Sequence, residues 1–187
     1  MRKIVNSTYL SLDGRIQEPQ HWSTNYWTAD HTAYANKLLY SSDALLMGRK
    51  TYDVFASAWP NRPEDDSENG RMTARMNSIP KYVASTTLKD PAWNNTHVLE
   101  GDLAEAVREL KERPGENITM YGALAVAREL VKHGLVDEFH LWVHPVVVGG
   151  TSDWDSPFAG YPNTAFELIE TNPLDSGVVV LVYKPKA

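Results

Sequence analysis

A three-layer α/β/α sandwich with a mostly parallel central sheet and a C-terminal antiparallel hairpin is the fold class that this sequence predicts. Three observations carry it. Short β-rich runs alternate with amphipathic helical patterns along most of the chain, the signature of a helix-covered parallel sheet. The last two strand-like runs flank the turn-rich segment NPLDSG, a hairpin by pattern. The chain has 187 residues, of which 42% are hydrophobic, enough for one core and short for two, so residues 1–187 read as a single domain.

The elements follow in order. Lys3 to Leu10 reads as the first strand. From about Asp30 to Ser41, Tyr34/Leu38 and Ala35/Leu39 repeat at i,i+4, which makes a helix. Asp43 to Met47 is an apolar strand ending at Gly48, after which Arg49, Lys50 and Thr51 open another helix. Pro60 to Gly70 (PNRPEDDSENG) reads as an exposed loop. Lys81 to Ser85 and Thr96 to Leu99 are strands. Asp102 to Glu112 is a helix with Leu103, Ala106, Val107 and Leu110 on one face and Asp102 as its N-cap, stopped by Pro114-Gly115. Ile118 to Tyr121 is a strand, and Ala123 to His133 a helix closed by Gly134. Val136 to Val148 is strand-like with a break at Pro145, and Ala165 to Thr171 and Gly177 to Tyr183 form the hairpin.

Composition excludes several functions. Eighteen Lys+Arg against 24 Asp+Glu leave a net charge of -6, which argues against a polyanionic partner such as nucleic acid or an acidic membrane. Without cysteine there is no disulfide, thiolate metal site, iron–sulfur cluster or thiol nucleophile, in keeping with a cytoplasmic protein. No apolar run reaches the ~18–20 residues that span a bilayer, and no leader pattern is visible. GxGxxG and P-loop patterns are both missing.

In an open α/β sheet ligands sit beyond the carboxyl ends of the strands, so the strand-to-helix junctions are the candidates. At LLMGRKTY (Leu45 to Tyr52), Gly48 permits close backbone approach, while Arg49, Lys50 and Thr51 place two cations and a hydroxyl at a helix N-terminus. That pattern suits a phosphate, and equally describes a glycine turn followed by solvated basic residues. At ITMYGALAVARELV (Ile118 to Val131), Gly122 and Ala123 leave room for a pyrophosphate, or serve strand-to-helix packing alone. SLDGRI (Ser11 to Ile16) holds a turn signal at Asp13-Gly14. Ser85-Thr86-Thr87 offers hydroxyls to a phosphate or to the next turn.

Taken in order, SLDGRI, LLMGRKTY, KYVAST and ITMYGALAVARELVKHGLVDEFHLWVHPVVVGG, followed by the hairpin, resemble the dihydrofolate-reductase-like superfamily. The nearer branch contains the C-terminal reductase domain of the bifunctional deaminase/reductase of riboflavin biosynthesis. Gly134 to Gly150 is the most branch-specific piece and MGRKT the most widely shared. The resemblance implies an NADPH-dependent reductase of a small, pterin- or aminopyrimidine-like substrate, and a homodimer. It implies that Gly48, Arg49, Lys50 and Thr51 hold the pyrophosphate and 2′-phosphate side of the cofactor. Ser85 and Thr86 would add donors to the 2′-phosphate, and Gly122, Ala123, Leu124 and Ala125 would cover the pyrophosphate. Asp13 and Gly14 would lie near the nicotinamide and substrate.

Three positions depart from the pattern. Classical dihydrofolate reductases tend to have two glycines where this chain has Gly122-Ala123. The riboflavin-pathway reductases tend to carry a lysine at the position of Ser7 and a glutamate at that of Met120. The latter two lie on the substrate side and weaken an aminouracil-phosphate assignment, leaving open a true dihydrofolate reductase or a non-catalytic nucleotide-binding protein of the same fold. Asp30 and Asp13 are the candidate proton donors, against their simpler readings as a first-turn acid and a turn former. His140 and His144 stand about 13 Å apart by strand rise, too far to share a metal unaided. Asp153, Trp154 and Asp155 follow Gly149-Gly150 in a loop on the substrate side. Trp22, Tyr26, Trp27 and Trp59 are available to stack a planar ring or to fill the core.

Overall fold

In the computed structural model, which describes residues 1–149 and 157–186, eight strands form one sheet. The strands are β1 (Ile4–Leu10), β2 (Ser42–Gly48), β3 (Lys81–Ala84), β4 (Thr96–Leu99), β5 (Asn117–Tyr121), β6 (Glu138–Val143), β7 (Phe166–Pro173) and β8 (Val179–Pro185). Their order is β4-β3-β2-β5-β1-β6-β8-β7. From β4 through β6 every pairing is parallel, while β8 runs antiparallel to both β6 and β7. The predicted fold class is the one observed. The Asp153, Trp154 and Asp155 readings fall outside the described residues.

Five helices connect the strands: α1 (Ala29–Tyr40), α2 (Arg49–Ala58), α3 (Glu68–Ser78), α4 (Leu103–Glu112) and α5 (Leu124–Lys132). Right-handed crossovers dictate which face each helix covers. The chain steps one way across the sheet from β1 to β4, then back through β5 to β6, so the helix layer changes face with the direction of travel. Leu39 of α1, Tyr52 of α2 and Met72 and Met76 of α3 therefore share a core with Leu45, Met47 and Val83. On the opposite face Ala104, Val107 and Leu110 of α4 and Leu124, Ala127 and Leu130 of α5 pack on Ile4, Ala44, Leu46, Ile118 and Met120. Period-2 alternation along β2 serves both cores at once.

Three expectations need correction. The loop ends at Ser67 and does not reach Gly70: the Ser67 hydroxyl accepts from Gly70 N at 3.0 Å and caps α3, whose first turn includes the buried Gly70. α3 escaped the sequence reading because a glycine, two asparagines and two arginines dilute its apolar stripe. The third correction concerns β6, which stops at Val143. Pro145 has no N–H for the ladder, and the following backbone crosses instead to the loop after β1, with Leu12 N donating to Val146 O at 2.8 Å.

Candidate active site

β2 and β5 are neighbours in the sheet, yet their following helices leave toward opposite faces, α2 with the Met47 core and α5 with the Leu46 core. A crevice opens where such strands part company, and it is the general ligand position in open α/β sheets. The sequence places a glycine at each lip. At Gly48 an added Cβ would stand 3.1 Å from Val126 Cγ2, so the β2–α2 junction abuts the first turns of α5. Gly122 has φ +60, and an added Cβ there would meet nothing within 4 Å, which leaves open space above the backbone. Gly122 is fixed from β1: its N–H donates to Ser7 O at 2.8 Å, and Asn6 Nδ2 donates to its carbonyl at 2.7 Å.

Ala123 adopts φ 50, ψ 35, the left-handed geometry that a second glycine would take without strain. Alanine here holds a left-handed conformation that glycine takes freely. Neither Gly48 nor Ala123 offers a side-chain cap, whereas α3 and α4 are capped by Ser67 and by Asp102, the latter accepting from Glu105 N at 3.0 Å. The crevice is thus lined by two helix N-termini whose amides have no side-chain cap, a donor set suited to a pyrophosphate. Leu124 is buried beneath it, and Ala125 is exposed.

Arg49, Lys50 and Thr51 open α2 at this lip. The Arg49 Nε donates to both Asp53 carboxylate oxygens, at 2.8 and 2.9 Å, on an exposed helix surface. That bond fixes the side chain and leaves the two terminal guanidinium nitrogens for an anion. Gly48 pairs with Ala84 across β2–β3, which sets Ser85 and Thr86 on the same edge. Ser85 Oγ accepts from Thr87 N at 3.2 Å and Leu88 N at 3.0 Å, so it caps the next turn and still has a proton to donate, while Thr86 is exposed. Ten predicted cofactor residues therefore lie along the carboxyl edges of three adjacent strands.

The two candidate proton donors do not join them. Asp13 Oδ1 accepts from Ser11 Oγ at 2.5 Å and Val148 N at 3.2 Å, and Oδ2 accepts from Gly149 N at 2.9 Å. These donors, Ser11 first, hold its pKa down to about 2, so it is an ionised strut between the loop after β1 and the segment after β6. Asp30 accepts from Thr28 Oγ1, from His31 N at 2.9 Å and from Asp175 N at 2.7 Å in the hairpin turn, and these bonds lower its pKa as well. It lines a shallow groove of about 380 Å³ against Thr171–Leu174, separated from the crevice by β1 and β6. Two hydrogen-bonded carboxylates with lowered pKa values are poor sources of a proton.

Between α1, β1 and β6 lies a cluster that sequence reasoning missed. His31 points inward from α1, its Nε2 2.8 Å from the Tyr9 hydroxyl, with Trp27 stacked on it at 4.8 Å and Trp142 at 4.6 Å. His144 packs against Trp22, Tyr26 and Tyr9, with Nδ1 2.9 Å from the Trp142 carbonyl. Trp22, Tyr26 and Trp27 thus pack against buried imidazoles, and only helix phase could have shown that His31 faces inward. Trp59 stands apart, 6.3 Å from Phe55. His140 bonds the Tyr34 hydroxyl at 2.9 Å, so the two strand histidines share no ligand. Among the described residues no group of three or more metal-ligating side chains converges.

At the substrate-side departures, Ser7 Oγ accepts from Trp142 Nε1 at 2.9 Å and Met120 is buried in the core. Neither position presents a charge.

Comparison with known proteins agrees with this geometry. A family model, the RibD C-terminal domain, matches residues 2–180. The uncharacterized protein YyaP of Bacillus subtilis is 30% identical over 182 residues, covering 97% of this chain and 94% of that protein. A second from the same organism, YwjB, is 27% identical over 154 residues, 79% of each. Among solved structures, a riboflavin biosynthesis protein from Shewanella sp. PV-4 superposes with TM-score 0.71 at 18% identity, over 99% of both chains. A pyrimidine reductase-like protein from Corynebacterium diphtheriae gives 0.62 at 14%, over all of this chain and 92% of that one. A deaminase/5-amino-6-(5-phosphoribosylamino)uracil reductase from Thermotoga maritima gives 0.66 at 15%, over 99% of this chain and 57% of that one. By the reach of that family model, and by 30% identity across nearly its whole length, the chain belongs to the RibD C-terminal domain family.

Proposed function

We propose that the protein is an NADPH-dependent reductase that transfers hydride to a C=N or C=O bond of a small planar heterocycle. One observation carries this reading: two glycine-lipped junctions meet at the β2–β5 crevice, where two helix N-termini without side-chain caps adjoin Arg49, Lys50 and Ser85. Those residues fit a phosphorylated dinucleotide. Gly48 and Gly122 let the pyrophosphate approach the backbone, the α2 and α5 amides donate to it, and Arg49 faces the 2′-phosphate. When bound, NADPH supplies the hydride; the chain supplies orientation and excludes water. Family membership and the reductase activity named for the Thermotoga neighbour favour a pyrimidine- or pterin-like substrate. The absence of a charge at Ser7 and Met120 disfavours a phosphorylated ribosylamino-uracil.

Steady-state oxidation of NADPH, followed at 340 nm with dihydrofolate and with an aminouracil ribityl phosphate, tests the reading. Turnover of dihydrofolate or an unphosphorylated pyrimidine, with slower turnover of the phosphorylated one, is expected. NADPH binding without oxidation across such a panel would favour a nucleotide-binding role.

A further inference from the structure

Tyr121 ends β5, one residue before Gly122, and faces Ser7 across the β1–β5 ladder. Its ring stands 5.9 Å from Phe55 of α2, on the opposite side of the sheet from α5. The residue therefore lies where β1, β5 and α2 meet, one position before Gly122 at the crevice.

Its hydroxyl lacks the partner that five other tyrosines have; Tyr82 and Tyr183, also half-buried, make no hydroxyl hydrogen bond among the described residues either, but they lie on β3 and β8 and not at the β5–α5 junction. Tyr9 bonds His31, Tyr26 donates to Pro145 O, Tyr34 bonds His140, Tyr52 accepts from Trp93 N and Tyr161 donates to Leu124 O. The Tyr121 hydroxyl makes no hydrogen bond among the described residues, although packing encloses it and raises its pKa above the ordinary value. Tyr121 is half-buried and its hydroxyl is unpaired among the described residues, the condition of a group that can take a ligand. Enclosure keeps it a neutral phenol, hence a donor.

We propose that the Tyr121 hydroxyl donates a hydrogen bond to a ring carbonyl oxygen or imine nitrogen of the substrate, and so selects heterocycles that carry such an acceptor beside the reducible bond. Phe55 forms the apolar wall against which the ring lies. A ligand without the acceptor would leave the phenol desolvated and unpaired, and a site of that kind discriminates by more than packing does. This inference rests on the reductase reading for the identity of the pocket.

Pterin and lumazine, two neutral planar heterocycles with ring carbonyls, serve as probes, with tryptophan quenching as the readout in the presence and absence of saturating NADP⁺. The comparison is between the protein and Tyr121→Phe, an isosteric change that removes no internal hydrogen bond. At least one probe is expected to bind, and Tyr121→Phe should weaken it about tenfold while NADPH affinity stays within about twofold. Equal probe binding by the two proteins, or NADPH binding with no binding of either probe, overturns the role of Tyr121. Failure of NADPH to bind while a probe still discriminates the two proteins overturns the reductase reading and leaves the Tyr121 site standing. Because a packing defect could mimic the loss, thermal unfolding of Tyr121→Phe is measured alongside; a melting temperature well below the parent would assign the tyrosine a structural role and overturn the proposal.

Discussion

At the scale of single residues, backbone and ionisation both yield measurable expectations. Ala123 holds a left-handed conformation that costs a non-glycine residue of the order of 1–2 kcal/mol, and no side chain repays it with a cap. Ala123→Gly relieves that strain but frees the unfolded chain, so a net gain of about 1 kcal/mol in urea unfolding is expected. A loss would show that the methyl packs better than the strain costs. His31 is fully buried, and desolvation pushes its pKa from 6.5 down to about 4, with the nearby His144 adding to the shift. The unfolded chain then binds a proton below about pH 6.5 that the folded protein refuses until about pH 4. Stability from this group is therefore whole at pH 7 and lost as pH falls through that window, by up to roughly 3 kcal/mol. His144, also lowered by burial, acts with the same sign. Asp13 and Glu138, both held down to about 2, lose their contributions only at lower pH. Urea midpoints at pH 7 and pH 5 check this: a marked fall at pH 5 is expected, and equal midpoints would place His31 in a wetter environment. Helix phase with Tyr34 and Leu38 turns His31 inward, but its buried partners were not legible in the sequence. His31 looks like any first-turn histidine until Tyr9 and Trp142 are brought beneath it from two different strands.

At the scale of elements, the β2–α2 and β5–α5 junctions act as one unit because α5 rests on Gly48. The 3.1 Å approach of Val126 to an added Cβ leaves little room, so Gly48→Ala should destabilise by about 1–3 kcal/mol. Val126→Ala on the same chain should recover most of that loss, and a double-mutant cycle of thermal unfolding measures the coupling. Additive effects would mean that the junctions are independent. The strand and helix patterns were readable because each obeys a simple period, as in α4, where Val107 and Leu110 are buried on one face and Asp102 caps. α3 was not, because its buried Met72 and Met76 are set among glycine and asparagine, residues of poor helical propensity, and arginines that interrupt the apolar stripe. The end of β6 was overrun for a related reason. Val146 to Val148 have strand chemistry, but their hydrogen bonds go to Leu12 and Asp13, partners that no local pattern names.

At the scale of the whole molecule, the alternation of strands and helices announces a parallel sheet, but not the reversal that puts β5 between β2 and β1. That order is what turns three separated motifs into one crevice: Gly48, Ser85 and Gly122 are far apart in sequence and lie on consecutive strands β3, β2 and β5. The resemblance supplied this arrangement before the structure did; spacing alone could not. It also explains how a chain of net charge -6 can take an anionic ligand. Acidic residues are spread over the surface, while Arg49 and the amides of two helices stand together at the switch point. The reductase proposal requires that this crevice bind a 2′-phosphorylated dinucleotide through Arg49. Fluorescence titration of the parent protein and Arg49→Ala with NADPH and NADH tests it most directly. Saturable NADPH binding is predicted, weakened at least about tenfold in Arg49→Ala, with NADH changed much less. No saturable binding of NADPH, or equal losses for the two cofactors, would contradict it.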